Sequence, residues 1–229
     1  MIDTVSDGGI TTIVLDRPRR RNAITAEGLT SLREAVETAA DPVVYLTGRG
    51  RAFCAGADLD SVAALDSSTA ALEFARLGQS VAKEMEQSES VVIAGIDGPA
   101  RGGGVELALA ADIRVATESA TFAETGVDIG LFGAWGGTVR LPEVVGLGPA
   151  LDIALTGRTL SAREALAVGL VTQVVDDPLA IAADLAEKPS RSLRTIKRRM
   201  RDRSPPDQRF DHEASAFAEL VQAGPCIDR

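Results

Sequence analysis

Two short stretches carry the residue types from which a main-chain anion site can be built. The first is Gly50-Arg51-Ala52-Phe53-Cys54-Ala55-Gly56-Ala57-Asp58-Leu59. Small residues crowd positions 55–57 just after an apolar strand, and small side chains let a ligand come close to main-chain N–H groups. The second is Gly102-Gly103-Gly104, with the apolar helical stretch Val105 to Ala111 directly behind it. A helix start offers unpaired N–H donors and partial positive charge. Two donors from separate turns can cradle a developing oxyanion, worth about 3–4 kcal/mol per donor. Tight packing alone explains the two turns equally well. Neither is a phosphate loop, since GxxxxGK[ST] and GxGxxG are both absent.

Other chemistries are excluded by arithmetic. His212 is the single histidine, so two-histidine zinc sites cannot form and a Cys/His metal cage lacks ligands. No GxSxG supplies a serine for a triad, and His212 reads as a surface or helix-packing residue. No metal site is expected.

The elements that must position the two turns follow from periodicity. Thr11 to Leu15, Val43 to Leu46, Val91 to Ile96 and Asp112 to Ala116 read as strands. Thr25 caps a predicted helix from about Ala26 to Ala40, and a second helix covers about Ser67 to Glu86. A glycine-rich loop is predicted from Gly126 to Gly137. Ser161 caps Ala162 to Val168, Val171 to Val175 is extended, and helices start near Leu179 and Ser192. Alternating strands and helices, with strands that are solid apolar runs, predict an α/β fold of parallel character. The helical part from about Arg158 reads as an appendage, and Ser204-Pro205-Pro206-Asp207 as a short flexible break.

The 229 residues are 45% hydrophobic, 25% charged and 3% aromatic, which excludes disorder. A chain of this length buries roughly 70% of its unfolded surface. The 24 Lys+Arg against 33 Asp+Glu give a net charge of −9, which argues against a nucleic-acid binder. No apolar run approaches the ~20 residues of a membrane span. The start, Met1-Ile2-Asp3-Thr4, has no signal-peptide pattern, and Cys54 and Cys226 form no disulfide framework. A cytoplasmic protein without membrane attachment is expected.

The same residues carry a family resemblance. Leu15-Asp16-Arg17-Pro18 with Arg21-Asn22-Ala23 resembles the LxRPxxxNA signature of the crotonase superfamily, the enoyl-CoA hydratases and isomerases. Gly50 to Leu59 resembles its GRAFCAGADL block. Ile93 to Ala100, with Gly102 to Ala108, resembles its IAxxxGxxxGGGxELA block. Leu155-Thr156-Gly157-Arg158, Ala162, Glu164-Ala165 and Gly169-Leu170-Val171 fit the downstream part. The resemblance implies a crotonase-like (ClpP/crotonase) α/β spiral of repeated ββα units. It divides the chain into a core with the acyl-CoA site at 1–157 and a mainly helical region at 158–229 that builds a homotrimer or hexamer. It implies an acyl-CoA thioester as substrate, with coenzyme A carried by the substrate and no other cofactor. Ala57 and Gly103 match the oxyanion-hole positions. Arg21, Asn22, Ala23 and Ala55 match segments lining the CoA arm, with Asp58, Leu59 and Trp135 in the substrate-binding set. Asp58 otherwise reads as fixing its turn or capping the next helix, and Trp135 as packing.

The resemblance also assigns the acids. Family hydratases hold a water between two glutamates. Glu106 matches the first, and acts as acid/base on an enolate-like intermediate. The second falls in Phe122-Ala123-Glu124-Thr125-Gly126-Val127-Asp128-Ile129-Gly130, where Gly126 replaces it. Ala134 stands where several relatives place an aspartate. Two-carboxylate hydration is therefore in doubt. If the segment is extended, Glu124 and Asp128 share the face of Gly126 and either can substitute. Otherwise Glu124 faces solvent and Asp128 is a cap. The segment also resembles the FxxTGxxxG of dihydroxynaphthoyl-CoA synthases, in which bicarbonate replaces the carboxylate; the aspartate those enzymes carry aligns near Gly133 and is absent. Arg19-Arg20-Arg21 reads as a phosphate contact or a solvated turn. The seven Lys/Arg from Arg191 to Arg203 read as a solvated helix face, with Lys197 or a neighbour available to phosphate. The chain ends at Ile227-Asp228-Arg229, short of the FxxKRxPxF-like helix of relatives. The expected activity is that of a lyase or isomerase of the enoyl-CoA hydratase/isomerase type. The alternatives are an acyl-CoA-binding homologue without hydratase activity, or a crotonase-type isomerase, decarboxylase or thioester hydrolase.

Overall fold

A computed structural model describes residues 1–224; Cys226 and the Ile227–Arg229 end lie outside the described residues. In chain order the elements are β1 (Ile2–Asp7), β2 (Ile10–Leu15), α1 (Ala26–Glu37), β3 (Val43–Gly48), α2 (Leu59–Ala63), α3 (Ser68–Gln87), β4 (Val91–Ile96), β5 (Pro99–Arg101), α4 (Gly103–Ala110), β6 (Ile113–Ala116), β7 (Thr121–Ala123), α5 (Gly137–Val145), α6 (Leu147–Thr156), β8 (Leu160–Ser161), α7 (Ala162–Ala167), β9 (Gln173–Val174), α8 (Pro178–Ala186), α9 (Ser190–Met200) and α10 (Pro206–Gln222). Two 3-10 turns, Pro18–Arg20 and Thr125–Ile129, complete the set.

The larger sheet has the order β1-β2-β3-β4-β6-β9, antiparallel only at β1·β2. Side chains alternate between its two faces. Ile13, Val44, Leu46, Val92, Ala94 and Ile96 pack with Leu29, Leu32 and Val36 of α1 and Val81, Ala82 and Met85 of α3. Ile10, Val43, Tyr45, Val91, Ile93 and Val115 pack with Ala182 of α8 on the other face. Both faces are covered, which is why these strands are continuous apolar runs. Burying each of the Val, Leu, Ile and Met side chains among them contributes about 1.5–3 kcal/mol. Thr25 caps α1 as predicted, its hydroxyl oxygen accepting from the Gly28 N–H at 3.2 Å. Ser161 and Glu164 form a full capping box on α7.

The second sheet, β5-β7-β8, is short, but it places the functional turns. β3 and β4 are parallel neighbours, so the segments leaving their C-terminal ends emerge together. A bridge between Cys54 and Ala100 then pairs these excursions. The Arg101 N–H donates to the Cys54 carbonyl at 2.9 Å, and the Cys54 N–H to the Pro99 carbonyl at 3.3 Å. β5 runs straight into Gly102, where φ is +47°.

The stretch from 158 onward supplies β8 to the small sheet, β9 to the large one and α8 to its lower face, as well as further helices. One expectation there is overturned. Lys197 is not on a solvated face: it is buried, donates to the Met85 and Ser90 carbonyls at 3.0 and 2.7 Å, and pairs with Asp112 at 2.8 Å. Arg201 also pairs with Asp112, at 2.7 Å, while the Val92 N–H donates to Asp112. Burial of the aliphatic stem draws Lys197 inward, and the carboxylate and two carbonyls satisfy its ammonium group. No helix among the described residues is long and apolar enough to cross a membrane.

Candidate active site

Asn22 sets the first turn. Arg21 and Asn22 both adopt left-handed backbone, with φ of 52° and 59°, a conformation for which asparagine is well suited. The Asn22 amide donates to the carbonyls of Arg49, Ala52 and Phe53, and its Oδ1 accepts from the Arg17 N–H. The Arg21 carbonyl accepts from Ala55. The side chain of Asn22 is 1% exposed, so it does not face a ligand; it fastens the 17–22 segment to the turn at 49–56. The Asn22 side chain therefore holds the turn in place, and its neighbours Arg21 and Ala23 border the groove described below.

The turn then passes Gly56, at φ +87°. A Cβ there would stand 2.6 Å from the Arg101 carbonyl and 2.9 Å from the Gly103 nitrogen. Only glycine permits this approach, and it brings Ala57 beside the start of α4. The neighbours are tied, with Ile24 N–H donating to Gly56 and Asp58 N–H to Ile24. Among the described residues, no protein acceptor is present for the Ala57 N–H or the Gly103 N–H. Both residues line one cavity of about 240 Å³, together with Ala55, Leu59, Phe74, Glu106 and Trp135.

Glu106 sits in the first turn of α4 and is 2% exposed. Its Oε1 accepts from the N–H groups of Trp135 (2.8 Å) and Gly137 (2.6 Å). Burial pushes its carboxyl up, and these N–H donors and the nearby Arg140 partly offset that. Gly133 and Gly137 approach so closely that a Cβ on either would meet the Glu106 carboxylate within 3 Å.

The loop that covers Glu106 is anchored to α3. The Gln79 amide donates to the Ala134 carbonyl at 2.9 Å. Arg140 grips Glu86 with two bonds of 2.8 Å and reaches the Trp135 carbonyl. The Trp135 ring lies against Gly78 and Gly103, where a Cβ would fall 2.1 and 2.4 Å from ring atoms, and meets Phe74 edge to face. It therefore both packs and lines the cavity. Nothing in the composition pointed to Gly78, Glu86 or Arg140; the tryptophan itself was the only signal.

A wider groove opens beyond Ala55. Pro18, Arg19, Arg21, Arg51 and Arg101 line one part, and Arg20, Ala23, Leu59 and Asp60 border the adjoining part. Asp58 borders it too, but its carboxylate caps α2 through the Asp60 and Ser61 N–H groups and pairs with Arg17 at 2.9 Å. Its carboxylate thus fixes the turn while the residue borders the groove.

The acid loop departs most from expectation. Thr125–Ile129 coil into a 3-10 turn, so the period-two argument fails there. Asp128 is exposed and faces Gly157, and among the described residues it caps no helix. Glu124 is not solvent-facing: it is 6% exposed, and among the described residues both carboxylate oxygens lack a hydrogen-bond partner. Burial, reinforced by the charge of Glu106, pushes its carboxyl up to about 9. An unsatisfied buried polar group costs roughly 1–3 kcal/mol. Glu124 lines a second cavity of about 140 Å³ with Val127, Thr138, Leu141, Leu147 and Ala150.

Comparison with known proteins identifies the family. Residues 6–223 match the family described as enoyl-CoA hydratase/isomerase. The fatty acid oxidation complex subunit alpha of Idiomarina loihiensis is 36% identical over 210 residues, 88% of this chain. The crotonyl-CoA hydratase of Syntrophomonas wolfei is 40% identical over 168 residues, 71% of this chain. The matched parts span 29% and 64% of those two proteins. The crystal structure of an enoyl-CoA hydratase from Thermoplasma volcanium superposes with a TM-score of 0.92 at 36% identity, covering 97% of this chain and 93% of that one. The enoyl-CoA hydratase of Bacillus anthracis gives 0.88 at 31% identity, covering 96% and 91%. With its two glycine-rich turns joined and Glu106 in place, the chain belongs to the enoyl-CoA hydratase/isomerase family, within the crotonase superfamily.

Proposed function

We propose that this protein binds an acyl-CoA thioester and moves a proton at the carbon next to the thioester carbonyl. The observation that carries this reading is that the unpartnered N–H groups of Ala57 and Gly103 open on the same cavity as Glu106. The two amides take the thioester oxygen and stabilise the negative charge that develops on it. Glu106, as carboxylate, accepts the proton from C2 and can return it at C4. The double bond moves from C3–C4 to C2–C3, no water is consumed, and Glu106 ends as it began.

Gly126 supports this one-acid route over hydration, since it provides no second carboxylate beside Glu106. Isomerisation is the reaction that a single acid completes unaided. No cofactor beyond the coenzyme A of the substrate enters the scheme. Arg19, Arg21, Arg51 and Arg101 surround the groove and suit its phosphates. A homotrimer fits the exposed Phe210, Phe217 and Val221 of α10, and a cytoplasmic setting fits a buried free thiol at Cys54.

Incubation with matched 2-enoyl- and 3-enoyl-CoA esters, followed by mass and retention analysis of the products, tests the scheme. Conversion of 3-enoyl to 2-enoyl ester is expected. Binding without conversion, or products heavier by one water as the main outcome, would refute it.

A further inference from the structure

Arg201, at the C-cap of α9, has no part in the scheme above. Two other cations of its stretch, Arg194 and Arg203, pair with the exposed Glu89 and Glu143. Arg201 instead turns inward, behind the helix that carries Glu106. Its Nε donates to Asp112 at 2.7 Å and its Nη2 to the Ala110 carbonyl at 3.2 Å. Ala110 ends α4, so the cation answers a carbonyl at the negative end of that helix. Its Nη1 stands 3.4 Å from Glu86 Oε1.

Glu86, in the last turn of α3, is thereby shared between two arginines. Arg140 of α5 holds it from the other side with two bonds of 2.8 Å, and its Nη1 donates to the Trp135 carbonyl at 3.1 Å. The Trp135 N–H in turn donates to Glu106. One unbroken chain of contacts thus runs from Arg201 through Glu86, Arg140 and Trp135 to the acid. The Arg140 and Glu86 side chains are 15% and 28% exposed, so solvent and salt screen this pair less than a surface pair.

We propose that Arg201 is a positioning residue for Glu106: it fixes Glu86, and through Glu86 and Arg140 it holds the loop whose N–H groups bind the acid. The proposal rests on the reading of Glu106 as the proton acceptor of an acyl-CoA reaction. Arg201 touches neither the cavity nor the substrate groove; it sets the acid from behind. Without it, Glu86 keeps one cation instead of two, and the surroundings of Glu106 become more negative. The ionised form of Glu106 is then disfavoured. The charged groups that face Glu106 are Arg140 from α5 and Glu124 from the segment after β7. Those that face Arg201 are Glu86, Asp112, Lys197 and Arg114.

The test reads kcat/KM against pH on a 3-enoyl-CoA ester, together with acrylamide quenching of Trp135, the single tryptophan, in ligand-free protein. Arg201→Met keeps the aliphatic stem. It is expected to lower kcat/KM about three-fold, to move the rising limb of the profile to higher pH and to make Trp135 easier to quench. Arg201→Lys should restore the limb, which follows charge, and only part of the rate, which needs the arginine fork. Glu86→Gln should move the limb the opposite way, to lower pH, and it decides the matter should Arg201→Met not fold. In an Arg140→Lys background Arg201→Met should add little, because the shared path is already loosened. A limb and a quenching constant that stay put in Arg201→Met, or an undiminished effect in the Arg140→Lys background, would overturn the proposal while the acyl-CoA reading stands. If no ester is converted by wild-type protein, the acyl-CoA reading fails, and the role of Arg201 in setting the acid fails with it; easier quenching in Arg201→Met would then show a hold on the loop alone.

Discussion

Glu106 and Glu124 are both buried and near enough for one charge to raise the other's carboxyl, yet the chain surrounds them in opposite ways. Glu106 stands on a helix, with two N–H donors on Oε1 and Arg140 nearby. Glu124 stands just before an irregular turn with no donor at all among the described residues. The difference teaches how burial alone and burial with donors divide the work of two identical side chains. Donors on one carboxylate partly offset the upward push of its burial, which suits a proton acceptor. Their absence leaves the other a neutral acid, fit to donate a hydrogen bond and unfit to take a proton.

Removing the ionisable group from the satisfied member should have the largest effect. Glu106→Gln is expected to lower turnover of the best ester by 10²-fold or more, measured under saturating substrate, with KM changing far less. Equal rates in the two proteins would break the comparison, because Glu106 would then be structural only. Next in size is Gly103→Ala. The new methyl group must displace the Trp135 ring, which shifts the indole emission, disturbs the loop over Glu106 and lowers kcat/KM by roughly ten-fold, in keeping with a misplaced oxyanion donor.

The unsatisfied member predicts a pH effect on stability. The native state keeps the Glu124 proton up to about pH 9, whereas the unfolded chain releases it near 4.5. The native state thus binds more protons across that window, and stability falls as pH rises through it. Glu124→Gln has no such proton. Its Tm should gain steadily on that of the wild type from about pH 5 to pH 9 and level off above; a constant Tm difference would show that Glu124 is ionised in the fold. The smallest effect is expected from Arg140→Lys, which loses the two-bond grip on Glu86. KM should rise a few-fold through a looser Trp135 loop.

The turns were legible because they are built from residue types with few other uses. Gly56 beside Ala57, and Gly102 to Gly104 before an apolar run, announce close backbone approach, and the structure brings them together. The buried strands were legible from their solid apolar runs. Glu124 was not, because the period-two argument needs extended backbone and Thr125–Ile129 coils instead. Lys197 was not, because a run of charge says nothing about which single member turns inward. Asn22 was visible as a motif position, but its work is to bind three carbonyls of a neighbouring turn, a long-range pairing that no local spacing encodes. β1 was missed although Gly8-Gly9, both at positive φ, is a hairpin signal in its own right.

The junction at Asp112 bears on how the molecule comes apart. One carboxylate there answers a strand amide on one side and, on the other, Lys197 of the penultimate helix and Arg201 at its C-cap. Peeling that helix away would strand a carboxylate and leave the Met85 and Ser90 carbonyls without their ammonium donor. The C-terminal helices are therefore expected to melt with the central sheet in one cooperative step, and a protease should find no early cut ahead of residue 190.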